Sequence, residues 1–191
     1  MRILVPVDLS GDSAALVRHA TRLASRIGGE LTVLHVYGGE AAATALREEG
    51  LFIDLYVGRL RSELRYLLVQ AGAMDRGAPV EVVGGDASVV IARRARELGA
   101  DLIVMGTHGR TGLPRLLMGS VAEEVVRRAS CPVLLVPASV LAAEAQGGAA
   151  MAVAQGGGMQ RDNRTEHNTQ ESIAAIVRTR HHDVPGRHGV A

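Results

Sequence analysis

The residue types best able to do chemistry are concentrated in MGTHGRTGLPRLLMGSVAEEVVRR, residues 105–128. An aliphatic run ends at Met105, the chain turns at Gly106, and Gly109, Gly112, Gly119 and Ser120 follow before a helical pattern begins. Glycines allow positive φ and let a bulky anion approach the main chain closely. The free N–H groups opening a helix attract a negative group, by about 0.3–1 kcal/mol when exposed and up to about 2 when partly buried. Ser120 adds a hydroxyl donor, and the whole reads as a phosphate seat. Ser120-Val121-Ala122-Glu123 also reads as a capping box, in which Ser120 and Glu123 satisfy backbone donors. Each glycine alone reads as an ordinary turn; their convergence after one strand favours the anion site.

The rest of the chemistry is sparse. All 21 basic residues are arginine and lysine is absent, which excludes Schiff-base chemistry and the GxxxxGK[ST] phosphate loop. Arginine still grips phosphate through its planar fork of donors. Asp8 ends the first apolar run, where it either meets a ligand or caps the next turn through the Ser10 or Gly11 amides. His35 lies inside an apolar run and reads as a hydrogen-bonded core histidine. His108, Arg110 and Arg115 flank the glycines and either meet phosphate or are solvated. Cys131, before Pro132, has no activating partner and reads as an inert thiol. His181, His182 and His188 are too loosely spaced for a metal site. No base–nucleophile pair stands near the glycine turn, so an enzyme is not the first expectation.

Five aliphatic runs must position these groups: Ile3–Val7, Leu31–Val36, Val80–Val83, Leu102–Met105 and Val133–Val136. Near-continuous apolar runs of this length read as parallel strands covered on both faces. Between the first two, Leu16, Ala20, Leu23, Ala24 and Ile27 recur at helical spacing, with Ser10 as cap and Gly28-Gly29 as stop. Residues 53–72 put Ile53, Tyr56, Val57, Leu60, Leu64, Leu67 and Leu68 on one face. Residues 87–98 do so with Ile91, Ala95 and Leu98, and a last helix after Ser120 with Val121, Val125 and Ala129. Alternating strands and helices predict a doubly wound α/β sheet, whose ligands sit at the strand carboxyl ends where the winding reverses. Residues 38–52 fit either the start of the second helix or a flap. Residues 138–191 are Ala/Gly-rich and poor in large apolar side chains, which predicts a disordered C-terminal tail with no part in ligand binding.

A chain of 191 residues holds one ordinary domain and a tail. Charge is balanced along it, at a formal +1, which gives nucleic acid no basic surface. A single cysteine rules out an internal disulfide framework. Asp8 interrupts the first apolar run short of a signal segment, and no run approaches the roughly 18 residues of a membrane span. The expected setting is soluble and cytoplasmic.

Gly106-x2-Gly109-x9-Gly119-Ser120 matches the G-x2-G-x9-G-[ST] signature of ATP-binding universal stress proteins. ILVPVDLS and LTVLHV resemble that family's first two strands, and GADLIVMGTHGR and SCPVLLVP its fourth and fifth. The likeness spans residues 1–137. It implies a Rossmann-like fold with sheet order 3-2-1-4-5, an adenine nucleotide such as ATP (with or without Mg²⁺), and a homodimer through Val133–Val136. It further implies that Asp8 sits by the adenosine with Pro6 lining the pocket, that Val36 contacts adenine, and that Met105 packs near the nucleoside. Gly106, Gly109, Gly119, Ser120 and the Val121 backbone would surround ribose and phosphates. A nucleotide-dependent regulator in stress response, hydrolysing ATP slowly at most, is the function implied. Two alternatives stand beside it. One is an adenylating or nucleotidyl transferase on a related sheet, against which SGDS at residues 10–13 lacks the SGGxDS loop. The other is a dimeric interaction module without nucleotide.

Overall fold

In a computed structural model, residues 1–40, 44, 47, 52–74, 77–107 and 118–145 of the chain are described. Within them the aliphatic runs become β1 (Arg2–Val7), β2 (Glu30–Tyr37), β3 (Val80–Gly84), β4 (Leu102–Gly106) and β5 (Val133–Val136). Between them lie α1 (Ser13–Ile27), α2 (Ile53–Gln70), α3 (Ala87–Glu97) and α4 (Ser120–Arg128). The strands form one parallel sheet in the order β3-β2-β1-β4-β5, with β5 at an edge. This is the doubly wound architecture expected from the alternation of elements.

The two-residue period of a strand sorts the core into two layers. Ile3, Val5 and Val7 of β1 join Val33 of β2, Leu16 and Val17 of α1 and Leu64 and Leu67 of α2 on one face. Leu4, Leu34, Ile103 and Met105 meet Ile91 of α3 and Val125 of α4 on the other. Arg94 of α3 ties that layer to β3 through two hydrogen bonds to Glu81, at 2.9 and 2.6 Å. The start of α3 is fixed by Asp86, whose Oδ1 accepts from Ser88 Oγ at 2.7 Å and from Val89 N–H at 3.0 Å. These bonds hold the Asp86 carboxyl below the usual range, the Ser88 hydroxyl contributing most.

Some local expectations are corrected. Gly28 does stop α1, in the left-handed region at φ +63°. Ser10 does not cap it: its amide folds back onto Asp8, and the helix begins at Ser13 after a turn in which Ser13 N–H donates to Ser10 O. Along α2 the buried stripe is Leu60, Leu64, Leu67 and Leu68, while Ile53 in the first turn is exposed. Val121 of α4 is 40% exposed and Ala122 takes the buried position instead. Of the segment 38–52, Gly39, Glu40, Thr44 and Arg47 are helical, and most of the rest lies outside the described residues.

The largest difference comes after Pro137. Residues 138–145, expected to open the disordered tail, form a short helix, here α5. Its first turn is closed by Val140 and Leu141 N–H groups donating to Pro137 O. Leu141 is buried in the α1 layer and Val140 packs beside it. Glu144 is gripped by α1: its backbone carbonyl accepts from Arg18 at 3.0 Å, and its carboxylate meets His19 and Arg22. Composition averaged over the whole tail conceals one leucine and one carboxylate that meet matching partners. Residues 146–191 lie outside the described residues. No helix among the described residues is long and apolar enough to cross a membrane.

The orientation of α2 gives a direct check on this packing. Leu64 is fully buried, whereas Tyr66 is 64% exposed. Leu64→Ala is expected to lower unfolding free energy by about 2–5 kcal/mol, and Tyr66→Ala by about 0.5 kcal/mol or less, as measured by urea denaturation.

Candidate functional site

The winding reverses between β1 and β4, and there the two strands part early. Their register runs only through Ile3↔Leu102 and Leu4↔Ile103, while β1 stays paired with β2 as far as Val7↔His35. Pro6 lies in the unpaired stretch and has no N–H to offer β4. A cleft of about 370 Å³ opens at these strand ends. It is lined by Pro6 and Asp8 from β1 and its turn, Val36 from β2, Met105 and Gly106 from β4, and Gly119, Ser120 and Val121 at the start of α4. Eight of the nine residues singled out in the sequence therefore share one cavity. The ninth, Gly109, lies outside the described residues, as do His108, Arg110, Gly112 and Arg115.

Asp8 is the most constrained group in the cleft. Leu9, at φ +60°, takes the left-handed conformation that non-glycine residues rarely adopt. This sharp turn brings the Ser10 amide and the Ser13 hydroxyl to Asp8 Oδ1, at 3.0 and 3.1 Å. Both roles weighed for Asp8 are thus open to one carboxylate. Oδ1 caps the turn, while Oδ2 is buried without a hydrogen-bond partner. An unsatisfied buried acceptor costs about 1–3 kcal/mol, so its persistence at a cleft wall invites a donor from a ligand.

The glycine turn is closed at its base. Thr107 N–H donates to Val136 O at 3.1 Å, and Gly119 N–H donates to Thr107 O at 2.8 Å, so Thr107 and Gly119 are held together. Gly119, not Ser120, is the N-cap of α4, and no side chain caps that helix. The capping box expected as one reading of Ser120 and Glu123 is therefore absent. Ser120 occupies the first helical position with its hydroxyl outside any cap, and the Glu123 carboxylate pairs with Arg127 at 3.8 Å. The first intrahelical amide bond is Glu123 N–H to Gly119 O. The Ser120, Val121 and Ala122 amides precede it and stand at the cleft without helical partners. Val121 is exposed and lines the cleft.

On the β2 side the wall is aromatic. Tyr37 and Tyr56 meet edge to face, with ring centroids 5.7 Å apart and planes at 85°. The sequence reading missed both as site residues, although they are two of only three tyrosines in the chain. It also missed Ser13, Thr107 and Leu141, whose roles arise only when distant segments meet. His35 is the core histidine expected: it is buried, and its Nδ1 lies 2.9 Å from Val7 O. Cys131 is partly buried, and burial, aided by the Asp101 charge, pushes its thiol above the usual value, as suits an inert group. No group of three or more potential metal ligands occurs among the described residues. A larger hollow, about 560 Å³, lies at the opposite ends of the strands between Arg2, Glu30 and Pro79. None of the nine site residues lines it.

Fold and cleft together define a doubly wound α/β domain with a crevice at its switch point, bordered by the first residues of α4. Residues 1–137 match the universal stress protein family. Over 139 residues the chain is 36% identical to the universal stress protein MJ0531 of Methanocaldococcus jannaschii, covering 71% of this chain and 81% of that protein. Among solved structures, the universal stress protein UspA of Lactobacillus plantarum aligns with a TM-score of 0.58 and 26% identity, covering 71% of this chain and 97% of that one. A universal stress protein in complex with cAMP aligns with a TM-score of 0.53 and 25% identity, covering 72% and 96%. The chain belongs to the universal stress protein family.

The aromatic wall yields a structural test. A Cβ on Gly84 would lie 2.9–3.0 Å from the Tyr37 ring atoms. Gly84→Ala is expected to rotate Tyr37 away from Tyr56 while the sheet stays folded, changing the near-ultraviolet circular dichroism of tyrosine but leaving the far-ultraviolet spectrum unchanged.

Proposed function

We propose that this universal stress protein binds an adenine nucleotide, ATP in the first instance, in the cleft between β1 and β4, and acts as a nucleotide-dependent regulator. The observation that carries the reading is the pairing of unlike needs across one cavity. Asp8 Oδ2 is a buried acceptor lacking a donor, and the first amides of α4 precede the helix's own bonds with no side-chain cap. A nucleoside phosphate supplies both, with hydroxyl or amine donors at one end and anionic oxygens at the other. The flat apolar base fits the side formed by Val36, Tyr37 and Met105, the sugar fits above Asp8, and the phosphates fit over Gly106, Gly119 and Ser120. A relative of the same fold solved in complex with cAMP supports a nucleotide of this class.

Regulation is favoured over rapid catalysis because no described residue supplies a base–nucleophile pair beside the phosphate seat. Phosphoryl transfer needs positioned metal ions and an oriented nucleophile. Hydrolysis at this site is slow at most, and any such turnover would act as a timer between two states rather than as metabolism. The edge strand β5, with Val133, Leu134 and Leu135 only partly covered, supports pairing with a second copy. The lone, partly buried cysteine suits a reducing cytoplasm.

Calorimetric titration with MgATP tests the reading. Gly119 has φ −59° and ψ 145°, a conformation valine also adopts, so Gly119→Val adds bulk at the phosphate seat without forcing the backbone. The native chain is expected to bind with a dissociation constant of about 10 μM or tighter, and Gly119→Val to weaken binding more than about tenfold while keeping a cooperative melting transition, lowered by the cost of valine at an N-cap. Unchanged affinity in this variant would remove the phosphate seat from the α4 terminus.

A further inference from the structure

The family match ends at residue 137, yet the cleft does not. Leu141, in α5, lines it on the α1 side together with Leu16 and Ser13. Leu141 is 4% exposed, and it packs in the same layer as Val7, Leu16 and Val136. It therefore forms part of the cleft wall beside Ser13, whose hydroxyl donates to Asp8 Oδ1.

Most of what anchors this helix to the domain comes from α1. Arg18 bridges two segments, donating from Nη1 to Glu144 O and from Nη2 to Gln70 O, each at 3.0 Å. Arg22 pairs with the Glu144 carboxylate, which is itself only 10% exposed. Burial, then the Arg22 and Arg26 charges, lower the His19 pKa. A carboxylate oxygen accepts, so the contact of His19 with Glu144 Oε1 at 3.2 Å is donated by Nδ1–H. A carboxylate set against a cation and an imidazole donor ties α5 to α1, and removing it leaves Arg22 and His19 without that acceptor.

We propose that the segment following the family domain is a working wall of the nucleotide cleft, with Leu141 as a further site residue and Glu144 as the positioning residue that clasps it. The proposal rests on the nucleotide reading and adds regulation to it. A ligand that needs the wall in place must in turn strengthen its docking, by the same factor. Whatever acts on the chain beyond residue 145 then gains a route to the cleft, and ligand occupancy a route to that chain.

The experiment uses the full chain. MgATP affinity is measured for the native protein and for Leu141→Ala, Leu141→Met and Glu144→Gln, alongside hydrogen exchange of the 138–145 amides with and without saturating MgATP. Leu141→Ala and Glu144→Gln are each expected to weaken binding by about fivefold or more, Leu141→Met to restore it to within about twofold, and MgATP to slow exchange in 138–145 of the native chain. Should Leu141→Ala disturb folding, Glu144→Gln and the exchange measurement on the native chain decide the matter. Tight binding by the native chain, with unchanged affinity in Glu144→Gln and unchanged exchange in 138–145, overturns the wall and leaves the nucleotide site standing. No binding by the native chain removes both.

Discussion

The structure depends on the early parting of β1 from β4. In a doubly wound sheet the chain must leave the first strand in one direction and resume on its other side, and the crevice this creates can be narrow or open. Here Pro6 withholds an amide where β4 would next pair, and the ladder stops at Leu4↔Ile103. Everything polar in the cleft is arranged around that gap. Asp8 is turned toward it by the strained Leu9, and α4 presents its first amides to it because Gly119 is clasped to Thr107. Strain at Leu9 and an unsatisfied oxygen on Asp8 are local penalties that the covered aliphatic layers on both faces of the sheet offset.

That arrangement divides labour between rigid and adjustable parts. Asp8, Val36 and Met105 stand at the ends of buried parallel strands, where position is fixed by two neighbours and two layers of helices. The amides at the start of α4 belong to a helix terminus whose cap, Gly119, is bonded to Thr107. The clasp between α1 and α5 adds a third part, contributed by sequence outside the family match, on the α1 side of the cleft.

How much of this was legible in the sequence follows from the range of the forces involved. The strands were readable because parallel strands covered on both faces must be continuous aliphatic runs, and all five run at the expected places. Gly28 was readable as a stop because a left-handed residue ends the helix there. The start of α1 was misread at Ser10, and the capping-box reading of Ser120 does not hold, because a capping serine is a local signal and here longer-range bonds prevail. Asp8 captures the Ser10 amide, and the Thr107 carbonyl holds Gly119 so that it becomes the cap. The grouping of Pro6, Asp8, Val36 and Met105 with the glycine turn came from family resemblance, since spacing along the chain does not say which strands are neighbours. The Tyr37–Tyr56 pair and the Leu141 wall were invisible for the same reason. In the tail, low average hydrophobicity concealed one well-placed leucine and one well-placed carboxylate.

The central claim is that the unpartnered oxygen of Asp8 and the donors of the nucleoside satisfy each other. A double-mutant cycle in the ligand and the protein tests it most directly: calorimetric affinities of ATP and of 2′,3′-dideoxy-ATP for the native chain and for Asp8→Ala. The account predicts that loss of the sugar hydroxyls weakens binding to the native chain by about tenfold, as expected when a charged hydrogen bond is lost, and changes little in Asp8→Ala. Equal loss in both proteins, or none in either, would contradict it and separate Asp8 from the ligand.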